Sequence, residues 1–401
     1  MSSFISDTGQ GSDTGRVVEV AVVMPCLNEA DTIFICVVKA LRALADAGIS
    51  GEVIVADNGS SDGSQLLATN AGARVITVAE KGYGSALMGG IDASHSTFVV
   101  MGDADDSYDF SELPRFVAKL REGYELVQGC RLPRGGGVVL PGAMPFLHYW
   151  LGNPLFSTLS RWWFRAPISD IYCGMRGFTR TLYDRLDQRC TGMEFATEMV
   201  IKASLTGARI GEVPITLHPD GRRAHPPHLK TWRDGWRTLR FFLMCSPRWL
   251  FLIPGLSLMF VGLVGFVLAL PGTMNLGGWS LDAHTLLVAS LAAVLGYQAV
   301  WFSIIAKAIA IGAGVLPADP RIERFFAHIS LERGVIIALV MISIGILLVL
   351  AAVAQWAQRG YAELPYALGM RLVIPGMTLM TIGSQTVFSS FLLTLVGLRR
   401  R

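Results

Sequence analysis

At 401 residues, with 52% hydrophobic and only 16% charged side chains, the chain is too apolar for an ordinary soluble enzyme. Its formal charge of +3 says little by itself, but the basic residues crowd ahead of the first long apolar stretch near Trp249. Six cysteines (Cys26, Cys36, Cys130, Cys173, Cys190 and Cys245) lack the paired spacing of zinc or dithiol sites, so they read as reduced thiols facing the cytosol.

Residues 1–15 are rich in Ser, Thr, Gly and Asp, without the basic and apolar regions of a signal peptide, and predict a disordered lead-in. Residues 17–24 predict a buried strand closed by Pro25, and 30–47 a helix stopped at Gly48. A short strand over 53–56 ends at Asp57 and runs into the turn Asn58-Gly59-Ser60-Ser61-Asp62-Gly63-Ser64. A helix through Leu67 leads to a strand over 74–78, and Lys81-Gly82-Tyr83-Gly84-Ser85-Ala86 opens the next helix. The apolar run 97–100 then feeds Met101-Gly102-Asp103-Ala104-Asp105-Asp106-Ser107-Tyr108-Asp109-Phe110. Strands alternating with helices predict a parallel sheet with right-handed crossovers, a nucleotide-binding α/β layer.

Further on, 113–119 predicts a short helix, 126–130 a strand ending at Arg131, and Gly135-Gly136-Gly137 a mobile loop. Residues 146–164 carry Trp150, Leu151, Leu155, Phe156, Leu159, Trp162, Trp163 and Phe164, and are too short to span a bilayer comfortably. They read equally as a helix lying on a membrane or under the active site and as an internal core helix. A helix over 194–205 and a strand over 210–217 follow.

Arg222, Arg223, Lys230, Arg233, Arg237, Arg240 and Arg248 interleave with Trp232, Trp236, Phe241 and Phe242, a composition suited to an anionic membrane surface. Nucleic acid would also suit it, but the adjoining apolar stretches argue against that partner. Spans are expected over 249–270, 285–306, 335–354 and 372–395, each near the roughly 20 residues that a bilayer core requires. The loop 271–283 has no Lys or Arg, whereas 307–333 carries Lys307, Arg321, Arg324 and Arg333, and the tail ends Arg399-Arg400-Arg401. The positive-inside rule therefore predicts a multi-pass plasma-membrane protein with its amino-terminal half and carboxyl terminus cytoplasmic, Arg359 and Arg371 being the minority signal.

The acidic cluster is the strongest chemical signal. A strand ending in Asp103 and Asp105 places two carboxylates at the carboxyl edge of a sheet, where open α/β folds bind ligands. Two such oxygens suit one Mg²⁺ or Mn²⁺ shared with substrate phosphates; an acidic surface turn is the plain alternative. His218, His225 and His228 do not read as a metal cluster, because Pro219, Pro226 and Pro227 break any helix that would align them.

Val22-Val23-Met24-Pro25-Cys26-Leu27-Asn28-Glu29, Asp57 to Ser64, Lys81-Gly82 and Asp103-Ala104-Asp105 occur in an order and spacing that resembles inverting glycosyltransferases of the GT-A fold. More narrowly, about the first 240 residues resemble polyprenyl-phosphate glycosyltransferases of the dolichyl-phosphate mannose and glucose synthase kind. The resemblance implies an α/β GT-A (Rossmann-like) catalytic domain over 16–228, an amphipathic segment over 229–248, and an all-α membrane domain of four transmembrane helices over 249–401. It implies transfer of a hexose from a UDP- or GDP-sugar to polyprenyl phosphate, with homo-oligomerisation left open.

By the same resemblance, Pro25, Asn28, Glu29, Asp57, Lys81, Gly82, Asp103 and Ala104 would meet the donor, and Asp103 and Asp105 the Mg²⁺ or Mn²⁺. Asn28 as a helix cap and Asp57 as an Asx-turn residue are the structural alternatives. Arg131, Arg176, Arg222, Arg223 and Lys230 are candidates for the acceptor phosphate, and Asp105, Asp170 and Arg131 for catalysis. Asp170 would orient a sugar hydroxyl or act as a weak base, unless it pairs with Arg176. Ser107 stands where many relatives have Gln, which leaves the remaining metal ligands open. A processive polysaccharide synthase would carry a Gln-x-x-Arg-Trp signature, which is missing here. Another acceptor, or a non-catalytic protein binding nucleotide-sugars or polyprenyl lipids, is the rival.

Overall fold

Strand β1 (Val20–Cys26) is apolar and buried along its length save at Pro25. It has neighbours on both sides and cover on both faces, so its sequence loses the polar alternation of a half-exposed strand. The computed structural model describes residues 18–222, 231–328, 330–362 and 366–398. The lead-in 1–15, Arg223, His225, His228, Lys230 and the arginine tail lie outside these residues. Two units result, Met1–Trp236 and Arg237–Arg401.

In the first unit the chain passes from β1 through α1 (Ile33–Asp46), β2 (Gly51–Asp57), α2 (Ser64–Asn70), β3 (Arg74–Thr77), α3 (Tyr83–Asp92) and β4 (Phe98–Met101). It continues through α4 (Leu113–Arg121), β5 (Leu126–Cys130), β6 (Val138–Val139), α5 (Asn153–Phe164), β7 (Arg176–Thr179), α6 (Arg180–Leu186), α7 (Glu194–Leu205), β8 (Ile210–Pro214) and β9 (Thr216–Leu217). Seven strands form one sheet in the order β3-β2-β1-β4-β7-β5-β8. β1 pairs in parallel with β2 on one side and β4 on the other, so the connections diverge there and open a crevice at the carboxyl ends of β1 and β4.

The sheet is not wholly parallel as expected. β7 inserts antiparallel between β4 and β5. Its glycine and short length hide it from pattern reading, yet Gly177 is what lets it lie under α4, with Leu120 and Phe116 closing over the bare Cα. The stretch 210–217 breaks in two. Pro214 has no N–H to continue the ladder, and β9 pairs instead with β6. The glycine run is not a loose loop either: a turn over Pro133–Gly135 leads into β6, and a side chain at Gly137 would strike the main chain of Cys130 and Arg131. α1 starts three residues later than the pattern suggests, with Thr32 and not Asn28 at its cap.

α5 has two faces. Phe156, Ser157, Ser160 and Phe164 are buried, while Trp150 in the preceding turn and Leu155 and Trp162 on the helix stay exposed. The core-helix reading thus holds for one side of the helix, and the other side is an exposed apolar face.

α8 (Thr231–Cys245) precedes the second unit's helices: α9 (Ile253–Ala269), α10 (Ala283–Gly312), α11 (Pro320–His328), α12 (Leu331–Gln358) and α13 (Tyr366–Leu398). A hairpin of β10 (Met274–Leu276) and β11 (Trp279–Leu281) joins α9 to α10. Among the described residues, four helices are long and apolar enough to cross a membrane: Arg248–Ala269, Ala283–Gly312, Leu331–Gln358 and Gly369–Gly397. Small residues bring them close. Gly345 faces the carbonyl of Gly376 and Gly262 that of Ala289. Between α10 and α13, Ser290 bonds Thr378 and Tyr297 bonds Thr386, both at 2.6 Å, and Gln385 donates to Gln298 at 3.3 Å.

A Cβ at Gly345 would lie 2.6 Å from the Gly376 oxygen, whereas one at Gly312 meets nothing within 4 Å. Gly345→Leu is expected to destabilise the detergent-solubilised protein by about 1–3 kcal/mol and Gly312→Leu to leave its thermal unfolding midpoint unchanged.

Candidate active site

The loops after β1, β2, β3 and β4 meet at the crevice. The β2 loop clasps the β1 loop: Ser60 Oγ accepts from the Asn28 amide, Ser64 Oγ from that of Glu29, and Asp62 from that of Ala30, all at 2.9 Å. In return Asn28, held at a positive φ of 60°, accepts from the Ser61 amide. Pro25 sits at the end of β1, one residue before Cys26, which is in register with Asp57. Asp57 is fully buried, and its carboxylate accepts from Gly59 and Ser60 amides and from Gln65 at 2.8 Å. Burial works to raise its pKa, but these donors outweigh it and hold the group below the ordinary carboxylate range.

Asn58, which sequence reading passed over, is the hub of the next connection. Its side-chain nitrogen donates to Val78 and Glu80 carbonyls, its side-chain oxygen accepts from the Gly82 amide at 2.8 Å, and its own carbonyl accepts from Lys81 at 2.5 Å. The only hint in the sequence is its place directly after a strand-ending aspartate.

After β4 the acidic turn is pinned from both sides. Thr32 donates to the Ala104 carbonyl at 2.6 Å, Lys39 pairs with Asp106 at 2.7 Å, and the Gly221 and His218 amides bond the carbonyls of Asp105 and Ser107. Asp103 Oδ1 accepts from the Tyr83 hydroxyl at 2.8 Å, and Asp105 Oδ1 from Ser107. Burial, and then the Asp105 charge beside it, push the Asp103 carboxyl up to about 6. Arg222 bridges three carboxylates: Glu29 at 2.8 Å, Asp220 at 3.0 Å and Asp105 at 3.1 Å. Segments 117 and 193 residues apart in sequence thus meet at one guanidinium.

Asp103, its pKa held up by burial and by the Asp105 charge beside it, is under-neutralised, and the hard oxygens of these two side chains fit a divalent cation. Among the described residues no group of three or more His, Cys, Asp and Glu side chains gathers for a metal. Two carboxylates alone would suit Mg²⁺ or Mn²⁺ only with water and phosphate oxygens completing the shell.

Deeper in, Asp170 is fully buried and pairs with Arg131, not Arg176: Nε to Oδ2 at 2.7 Å and Nη2 to Oδ1 at 2.9 Å, with the Arg131 amide adding a third bond. Arg176 is also fully buried, its Nη atoms spent on the Ala196 and Cys173 carbonyls. Of the expected phosphate-binding group, Arg222 alone among the described residues pairs with the acidic cluster, while Arg131 and Arg176 are buried and engaged by Asp170 and by carbonyls.

The family model described as glycosyl transferase family 2 matches residues 21–187, and that of the glycosyltransferase family 2 C-terminal transmembrane region matches 304–397. The chain is 37% identical over 390 residues to the low-salt glycan biosynthesis hexosyltransferase Agl6 of Haloferax volcanii, covering 96% of this chain and 91% of that one. The chain belongs to glycosyltransferase family 2. This glycosyltransferase is also similar to the dolichyl-phosphate hexose transferase of Haloferax volcanii, 33% identical over 198 residues, which are 49% of this chain and 82% of that protein. Among solved structures it is similar to glucosyl-3-phosphoglycerate synthase from Mycobacterium tuberculosis in complex with Mn²⁺, UDP and glucosyl-3-phosphoglycerate, with a TM-score of 0.44 and 24% identity over 56% of this chain and 78% of that one. The glycosyltransferase thus joins a GT-A α/β domain to a membrane region.

Removing one member of a buried ion pair strands the other. Asp170→Asn is expected to destabilise the glycosyltransferase by about 3–5 kcal/mol. The double variant Asp170→Leu/Arg131→Met is expected to recover most of that loss, as read by thermal unfolding in detergent.

Proposed function

We propose that this membrane glycosyltransferase transfers a hexose from a nucleotide-sugar to polyprenyl phosphate, with inversion, in the presence of Mg²⁺ or Mn²⁺. The observation that carries the reading is the convergence of Glu29, Asp105 and Arg222, with Asp103 beside them, at the β1/β4 crevice of a membrane-anchored chain. In this reading the loops bearing Pro25, Asn28, Glu29, Asp57, Lys81 and Gly82 receive the nucleotide, Asn58 holding the last two in place. Asp103 and Asp105 hold the metal. Bound there, it would offset the charge that develops on the departing diphosphate.

A phosphate acceptor is already anionic at neutral pH, so its attack on the anomeric carbon needs no strong base. The arrangement of Asp170 agrees with this. Both its oxygens are engaged by Arg131, which makes it a support for the guanidinium. Positioning and charge neutralisation then supply the catalysis. Arg222 would exchange carboxylates for phosphate oxygens, to which its fork is equally suited. The enclosed Arg176 would shape the wall of the site.

A lipid acceptor is supported by the exposed Trp150, Leu155 and Trp162, a face suited to the headgroup boundary, and by likeness to the dolichyl-phosphate hexose transferase. The domain limits 16–228, 229–248 and 249–401 belong to the same proposal, as does a cytoplasmic face for the catalytic half and carboxyl terminus. Arg371, which opposes that orientation, has its charge met by Asp282 at 2.7 Å.

The test is product formation by the purified protein in detergent with polyprenyl phosphate, Mg²⁺ or Mn²⁺, and a panel of UDP- and GDP-sugars. One donor is expected to give a lipid-linked sugar phosphate, with EDTA abolishing turnover and Asp105→Ala lowering it by on the order of 10²- to 10³-fold. Nucleotide binding without any lipid product would assign another acceptor or a non-catalytic role.

A further inference from the structure

Lys81, Gly82 and Tyr83 form a turn that touches both Asn58 at the donor loops and the first aspartate of the acidic pair. It is held from two sides. In front, the Gly82 amide donates to Asn58. Behind, the main chain at Cys190 and Thr191 lies directly on the first turn of α3: the Ser85 amide bonds the Thr191 carbonyl at 3.1 Å, and a Cβ at Gly82 or Gly84 would strike the Thr191 or Cys190 carbonyl. This spacing explains both glycines, since nothing larger allows the approach.

The main chain at 187–190 is itself fixed by a buried ion pair in α7. Lys202 meets Glu198 at 2.6 Å and also donates to the Asp187 carbonyl, while Glu198 accepts from the Arg189 and Cys190 amides. Both side chains are shielded, and an internal pair with its remaining hydrogen-bonding capacity filled is rigid. Tyr83 therefore has little freedom, and its hydroxyl reaches Asp103 Oδ1 at 2.8 Å. The other oxygen of Asp103 lies against Gly174, whose Cβ would sit 2.5 Å from it. Asp103 is clamped between a phenol and a bare main chain.

We propose that Tyr83 is a positioning residue for the acidic site: its hydroxyl fixes the Asp103 carboxylate toward the divalent cation and thereby ties the Lys81-Gly82 donor turn to that site. The proposal rests on Asp103 and Asp105 holding the metal. Outer hydrogen-bond partners of metal ligands orient them, and their loss typically costs about 10- to 100-fold in metal affinity.

The full-length protein in detergent micelles is titrated with Mn²⁺ without nucleotide, free Mn²⁺ being read by electron paramagnetic resonance. Tyr83→Phe, which removes one oxygen atom and nothing else, is expected to bind Mn²⁺ about 10- to 100-fold more weakly with an unchanged unfolding midpoint. Unchanged Mn²⁺ affinity in Tyr83→Phe, beside a loss in Asp105→Asn, would overturn the assignment while leaving the metal site standing. An Asp105→Asn protein that binds Mn²⁺ as the parent does would remove the metal reading, and Tyr83's role with it. Should Tyr83→Phe not fold, 3-fluorotyrosine placed at position 83 of the parent decides the matter. Its fluorine resonance is expected to shift as Mg²⁺ saturates the site, and a resonance that stays put overturns the proposal.

Discussion

Carboxylates collected at one edge of a sheet repel each other, and the catalytic half of this glycosyltransferase is built around containing that repulsion. Glu29, Asp103, Asp105, Asp106 and Asp220 lie on loops that would separate if left uncompensated. Arg222 holds three of them, Lys39 a fourth, and Tyr83 donates to the fifth. Charge that would otherwise destabilise the crevice becomes the means by which distant segments are joined. Of the five, Asp103 alone is met by a neutral hydroxyl in place of a cation, and burial with the Asp105 charge pushes its pKa up.

Rigidity at this edge comes mainly from main-chain groups. The β2 loop captures amides of 28–30 with hydroxyl and carboxyl oxygens, and Asn58 replaces missing strand partners for the Lys81-Gly82 turn. Short polar side chains lose little rotamer freedom when fixed, so they can order loops at small entropic cost. Asp57 illustrates the result: a carboxylate expected at the donor is engaged by its own turn, and it supports the crevice by holding Gly59 and Ser60.

The membrane helices follow a different rule. Without water to drive apolar burial, close approach and hydrogen bonds must supply the attraction between helices. Gly262, Gly345 and Gly376 provide the approach, and the Ser290–Thr378 and Tyr297–Thr386 bonds fix α10 against α13. The two bonds lie about two turns apart on each helix and so set a single register.

The sequence by itself determined the fold class, the four apolar helices and the acidic turn, because those depend on local periodicity and on residues adjacent in the chain. Asp103 and Asp105 follow a strand whatever the remainder of the molecule does. Pairings between distant segments were decided only in three dimensions. On paper Arg176, six residues on, is the partner expected for Asp170, and only the insertion of β7 places Arg131 against it and turns Arg176 toward carbonyls. The glycines at 82, 84 and 137 likewise read as freedom in one dimension and serve as close contact in three. Tyr83 carried no signal at all, since a phenol becomes informative only when the group it reaches is known.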